Sequence, residues 1–172
     1  MSTKTLMDVE EYLRTSFDGP DCEYLDGEVV ERNMGELPHS RIQTGLLRKL
    51  LRLRPEVGIL PLSEIRIQVH SRRFRVADIA VWRNDDIGTT IPTVAPFLVV
   101  EVLSPEDRLV RMLPKIREYL SIGIDYIWLV DPQEKAAVVF SQKDPAGSAA
   151  EVLRTENPAI EIPLQAAFDL DA

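Results

Sequence analysis

Two carboxylates in this chain sit where strand patterns leave no place for charge. Asp78 lies inside "VADIAV" and Glu101 inside "FLVVEVL", each with apolar neighbours on both sides. An ionised carboxylate in such a strand is costly unless a cation or hydrogen-bond donors compensate it. Two of them on consecutive core strands also repel each other. A divalent cation between Asp78 and Glu101 would answer both difficulties. Mg²⁺, or Mn²⁺ in its place, suits one or two carboxylates completed by waters and a substrate phosphate. The pattern is equally open to an arginine pairing with one carboxylate, or to a strand end that places it in water. With one cysteine, Cys22, and two histidines, a Cys/His zinc cage and an internal disulfide are excluded. Any metal must be held mainly by carboxylates.

The elements that position these residues read as one mixed α/β domain spanning the 172 residues. Thr5 with Asp8 resembles a capping box ahead of Leu6, Val9, Tyr12 and Leu13, which predicts a short first helix. Asp26-Gly27 between two apolar-alternating runs predicts a hairpin. From His39 to about Arg54, Ile42, Leu46, Leu47, Leu50 and Leu53 form one apolar helical stripe. "EIRIQVH" and "FRVADIAVW" flank the turn "SRR" as two strands, and "FLVVEVL" is a third. Ser104 as N-cap, Pro105 at the first helical position, and Glu106 and Asp107 in the first turn open a helix toward Ile122, with a kink or restart expected at Pro114. "YIWLVD" and "AAVVFS" are further strands, followed by a shorter strand and a tail.

Hydrophobic residues make up 45% and charged residues 28%, which argues against disorder and against a membrane partner, and for a soluble cytoplasmic protein. The net charge of −8 is unevenly spread. Residues 1–40 hold ten Asp/Glu against three Lys/Arg, and residues 41–83 hold ten Lys/Arg against three Asp/Glu. A basic middle can bind phosphate even on an acidic molecule.

The strings "YLDGEVVE", "PH" opening a helix, "RVADIAV", "VVEVLSP", a lysine eleven residues after that serine, and "REYLSIGIDYIWLVDP" together resemble the Uma-two group of restriction-endonuclease-like proteins. That group belongs to the PD-(D/E)XK nuclease superfamily, and the resemblance runs over roughly residues 5–145. It implies a restriction-endonuclease-like mixed β-sheet flanked by helices. It also implies that Asp78 and Glu101 share a metal ion, with His39 near a phosphate or a metal-held water. The standard motif's lysine position is Leu103 here, and the group's lysine on the following helix matches Lys115. Arg111 stands where the group usually has aspartate, and Ala77 where the superfamily often has proline. Glu23 and Glu28 match acidic positions around the hairpin and read as structural.

The implied activity is Mg²⁺-dependent hydrolysis of DNA, with Lys115 orienting water or stabilising charge, and with a possible homodimer for double-strand cleavage. Arg48, Lys49 and Arg52 on the helix, and Arg72, Arg73 and Arg75 on the following hairpin, are the candidates for gripping the backbone. A nuclease-derived binding or regulatory module without chemistry is the alternative, and a small-nucleotide phosphohydrolase is a third reading.

Overall fold

Asp26 and Gly27 both take positive φ, 55° and 104°, as a two-residue turn between right-twisted strands requires. They join β1 (Cys22–Leu25) to β2 (Glu28–Glu31) in the hairpin that the Asp-Gly pair predicts. The computed structural model describes residues 6–18, 21–33, 35–83, 87–88, 90–105 and 109–169, with the backbone alone at 109–111. Ahead of the hairpin, α1 (Val9–Arg14) is capped by Asp8, whose carboxylate accepts the Glu11 amide at 2.7 Å. Thr5 of the expected capping box lies outside the described residues.

The long helix α2 (Leu37–Val57) carries Pro38 in its first turn and ends at Gly58 in the left-handed conformation, φ 71°. Its stripe of Ile42, Leu46 and Leu50 is buried, each side chain contributing about 1.5–3 kcal/mol. The antiparallel pair β3 (Leu60–His70) and β4 (Arg73–Trp82) follows. β3 begins four residues before the "EIRIQVH" alternation because residues 60–63 find partners in residues 79–82 of β4, and its other side, unpaired among the described residues, tolerates Pro61.

Then come β5 (Leu98–Val102), α3 (Leu109–Ser121), β6 (Tyr126–Asp131), β7 (Ala136–Ser141) and β8 (Ser148–Ala149). α3 is described only from Leu109, so Ser104 and Pro105, expected as its N-cap and first residue, precede it with Pro105 in a turn, while Glu106 and Asp107 lie outside the described residues. The helix runs through Pro114 without a restart, since a missing amide removes one backbone bond and the neighbouring turns remain. The sheet order is β2-β1-β4-β5-β6-β7-β8, with β3 also on β4. Among the described residues only β5 and β6 are parallel, and α3 supplies the crossover that parallel strands need. The C-terminal part holds more structure than a strand and a tail: β9 (Val152–Glu156) and β10 (Ala159–Pro163) form a second, two-stranded sheet, followed by α4 (Leu164–Ala167).

Two cores lie on the two faces of the main sheet. Ile42, Leu46 and Leu50 of α2 pack with Ile79, Val100, Trp128, Leu153 and Ile160. Met112, Ile116 and Tyr119 of α3 pack with Ala80, Val99, Ile127 and Leu129. Among the described residues, no helix is long and apolar enough to cross a membrane.

Candidate active site

β4 and β5 pair as far as Ile79 and Val100 and then part. Continuing that register by one residue sets Asp78 opposite Glu101, and directly opposed residues of antiparallel strands project to the same face. The sequence alternation agrees, since Asp78 falls in step with Ala80, and Glu101 with Val99, both on the α3 side. Where the ladder ends, Asp78 Oδ2 accepts the Val102 amide at 2.7 Å. The carboxylate thus satisfies a backbone donor that the next rung would have used.

Lys115 reaches the pair from α3. Its Nζ donates to Glu101 Oε2 at 3.0 Å and to the Val76 carbonyl at 2.8 Å, and lies 2.9 Å from Glu23 Oε1, which uses all three ammonium donors. Tyr119, one turn further on the same helix face, donates its hydroxyl to Glu101 Oε1 at 2.8 Å. Glu23 of β1 is held in turn by Arg75 Nη1 at 2.7 Å, and Arg75 Nε donates to Glu118 at 2.6 Å. On the other side of the pair, Arg32 bonds both Asp78 Oδ1 and Glu64. His39, in the first turns of α2, places Nε2 3.3 Å from Asp78 Oδ2. Its Nδ1 has no hydrogen-bond partner among the described residues, and a Cβ at Gly35 would come within 2.9 Å of it, so glycine lets the chain pass against the ring.

These side chains line a cavity of about 240 Å³ that includes Glu23, Arg32, His39, Asp78, Glu101 and Lys115. Burial pushes Glu101 up to about 7, against the pull of the Lys115 ammonium and with the help of the Asp78 charge. Burial also works against ionised Asp78, but the His39 bond and the Arg32 charge outweigh it and hold the carboxyl below its ordinary range. Lys115 and His39 are both drawn toward neutrality by burial, yet the carboxylates around each raise them. The two acids therefore differ: Asp78 is a firm anion and Glu101 is poised near neutrality.

A pH-dependent stability follows. Folded Glu101 keeps a proton that the unfolded chain releases near pH 4.5, so stability falls as pH rises from about 4.5 through 7, by up to about 3 kcal/mol. The raised His39 acts in the same direction at the upper end, losing its contribution above pH 6.5. The lowered Asp78 and Glu23 act below that window, losing theirs as the solution becomes more acid. Urea midpoints of the metal-free protein should decline from pH 5 to pH 8, and Glu101→Gln should flatten much of the decline. An unaltered slope in that variant contradicts the assignment of the high pKa.

All four residues singled out in the sequence, Asp78, Glu101, Lys115 and His39, meet in this cavity. The arginine solution left open for one carboxylate is also present, because Arg32 pairs with Asp78. The basic residues divide. Arg48, Lys49 and Arg52 lie along α2 outside the cavity, and Arg72 is an exposed turn residue. Arg73 instead holds Asp26 and Glu118, and Arg75 holds Glu23 and Glu118, so both arginines pair with acidic groups of the protein itself. Glu23, read from the sequence as structural, belongs to the site through Lys115, whereas Glu28 does not line the cavity. The side chain of Arg111 lies outside the described residues.

Asp78 and Glu101 fit a hard divalent cation by donor type and by their shared face on a solvent-reaching cavity. Among the described residues no group of three or more His, Cys, Asp or Glu is arranged to hold a metal ion. A two-carboxylate site suits Mg²⁺, which keeps several waters.

Residues 9–172 match the family model described as "Uma2: Putative restriction endonuclease". A crystal structure described as that of "a putative nuclease belonging to DUF820" from Anabaena variabilis ATCC 29413 shares the fold, with a TM-score of 0.80. The two are 22% identical, over 94% of this chain and 97% of that one. No curated protein sequence matches the chain.

Proposed function

This chain belongs to the Uma2 family, and from that premise we propose that it is a Mg²⁺-dependent endonuclease hydrolysing DNA phosphodiester bonds. The observation that carries the reading is the convergence of Asp78 and Glu101 with the buried ammonium of Lys115, which reaches the pair from α3. Asp78 and Glu101 would hold the Mg²⁺, which when bound supplies Lewis acidity to the phosphodiester. Mn²⁺ is expected to substitute.

The chain's own residues do the rest. Lys115, kept protonated by Glu101 and Glu23, presents fixed positive charge to an oxygen that gains negative charge as the phosphoryl group reacts. Tyr119, pushed well above its usual range by burial and the Glu101 charge, stays a neutral donor and fixes that carboxylate. His39 uses Nε2 on Asp78 and so helps to hold that carboxylate ionised. The packed strands β4 and β5 hold the carboxylates in place before substrate arrives.

The test is incubation of the purified protein with supercoiled plasmid and Mg²⁺, with EDTA as control. Conversion to nicked or linear DNA that EDTA stops supports the reading, and linear product without nicked precursor points to a dimer cutting both strands. One observation favours the alternative of a binding module without chemistry: every oxygen of both carboxylates already meets a protein donor. Such a module keeps the fold and gains no thermal stability from Mg²⁺ or Mn²⁺.

The exposed and half-buried basic residues of α2 are the proposed backbone grip. Exchanging Arg48, Lys49 and Arg52 together for Gln should weaken duplex binding and flatten its salt dependence, by about one unit of log–log slope for each phosphate no longer neutralised. Fluorescence anisotropy at several salt concentrations measures this, and an unchanged slope assigns that face to solvent.

A further inference from the structure

We infer that Arg32 is a resident competitor for the divalent-cation position at Asp78, and that it is handed over to Glu64 when the cation binds. The inference rests on the metal-site reading of the pocket. Arg32 follows β2 directly, and its amide donates to the Asp21 carbonyl at 3.2 Å, so the backbone is anchored and the side chain is the part that reaches inward. The guanidinium fork bonds two carboxylates at once, Asp78 on one side and Glu64 on the other. Asp78 is 1% exposed, and Arg32 supplies the positive charge on Oδ1 that a metal ion would supply. Two cations cannot share that oxygen at contact distance without strong repulsion in a site screened so little by water.

Glu64 is built to keep the arginine after Asp78 releases it. It lies opposite Asp78 by the continued β3–β4 register, so Glu64, Asp78 and Glu101 occupy neighbouring positions on three adjacent strands. Its backbone takes φ 50° inside a strand, a strained conformation for a residue with a Cβ, and one that persists only where the surroundings enforce it. Gln43 of α2 fixes Glu64 Oε1 at 2.5 Å and the Asp78 carbonyl at 3.0 Å, leaving Oε2 to Arg32. Arg32 also lines a second cavity of about 200 Å³, on the Glu64 side, whose lining includes Asp21, Gln43 and Glu64. The arginine thus has a second anion and room to turn toward it, while its freed donors face the neighbouring cavity where a phosphate oxygen would lie.

The test is calorimetric titration of the full chain with Mn²⁺ alone, with no nucleic acid present. Arg32→Gln should bind Mn²⁺ roughly tenfold to a hundredfold more tightly than the parent, the range in which residues around a metal's ligands act. Arg32→Lys, which keeps the charge, should stay near the parent. Glu64→Gln should shift affinity the other way, several-fold weaker, because the displaced guanidinium loses its second partner. Combining the two decides the route: with Gln at 32, the Glu64→Gln change should have little further effect. A loss of the same size in both backgrounds means that Glu64 acts on the metal directly, and overturns the handover. Equal Mn²⁺ affinity in Arg32→Gln and parent overturns the competition, and if Asp78→Asn still abolishes binding, the metal site itself stands. Absence of Mn²⁺ binding to parent and Arg32→Gln alike overturns the metal-site reading and the inference with it. Should Arg32→Gln not fold, Arg32→Ala takes its place in the same comparisons, and an affinity of Glu64→Gln equal to the parent's refutes the handover.

Discussion

Asp78→Asn should leave no measurable Mg²⁺-dependent cleavage under the proposed function, and Glu101→Gln should do the same. Each removes one of the two anionic donors available to the cation, and among the described residues no further acidic or histidine cluster could replace it. Their effects on the metal-free fold should differ, however. Asp78 is a carboxylate held ionised by Arg32 and His39, so a neutral amide leaves Arg32 without that partner and crowds the Val102 amide. Breaking one side of such a buried arrangement costs about 3–5 kcal/mol. Glu101, pushed up to about 7, carries only part of its charge at pH 7, so Gln takes its place at less cost and relieves the repulsion with Asp78 that this charge brings. Plasmid cleavage with Mg²⁺ saturating, run alongside urea denaturation of the same preparations, reads both results. Full cleavage by either variant removes the carboxylate pair from the chemistry.

Lys115→Ala should slow single-turnover cleavage by roughly two to four powers of ten, the range for loss of one charge-stabilising or proton-transferring group. The ammonium is not a metal ligand, so Mn²⁺ binding should persist while the rate collapses. Because Lys115 also neutralises Glu101 and Glu23, its removal leaves two buried acids with one cation fewer, and the fold should lose about 3–5 kcal/mol. Adding Glu101→Gln to Lys115→Ala should restore part of that stability and none of the rate. Cleavage at the parental rate by Lys115→Ala makes the lysine a structural ion-pair partner only.

The site was legible in the sequence where a residue broke a pattern, and illegible where it followed one. Asp78 and Glu101 interrupt runs of apolar strand residues, and no local rule explains them away. Lys115 and His39 sit in helices that tolerate polar residues on one face, so only the resemblance singled them out. Tyr119 was within reach, four residues after Lys115 on the same face, but as an apolar body it reads as core. Glu23 alternates with Cys22 and Tyr24 and so reads as the solvent side of a hairpin, whereas Arg75 and Lys115 close over that side. Arg32 lies just past a strand end, where neither period nor turn chemistry constrains a side chain, and its partners are 32 and 46 residues away. The fold follows the same logic. The Asp-Gly hairpin and the α2 stripe are local signals and hold, while the first residues of β3, the passage of α3 through Pro114 and the β9–β10 pair depend on neighbours remote in sequence.

Among the described residues, the ladder that joins the β1–β2 hairpin to β4 has two residue pairs, Tyr24 with Phe74 and Leu25 with Arg73. Tyr12, Tyr24 and Phe74 add an aromatic patch, and polar ties come from Asp26 of the turn, held by the Arg73 side chain and the Arg72 carbonyl, from Glu23, and from Arg32 just beyond the hairpin. A segment with so few ladder bonds belongs to the low-stability end of the molecule's opening equilibria, and it can detach while β4, β5 and β6 stay protected from amide exchange. Detachment would carry away Glu23, release Lys115 from one of its two carboxylates and uncover Asp78. The competence of the pocket should then follow a subglobal opening, smaller in free energy than unfolding, and amide exchange of β1 and β2 faster than that of β4, β5 and β6 is the result that checks it.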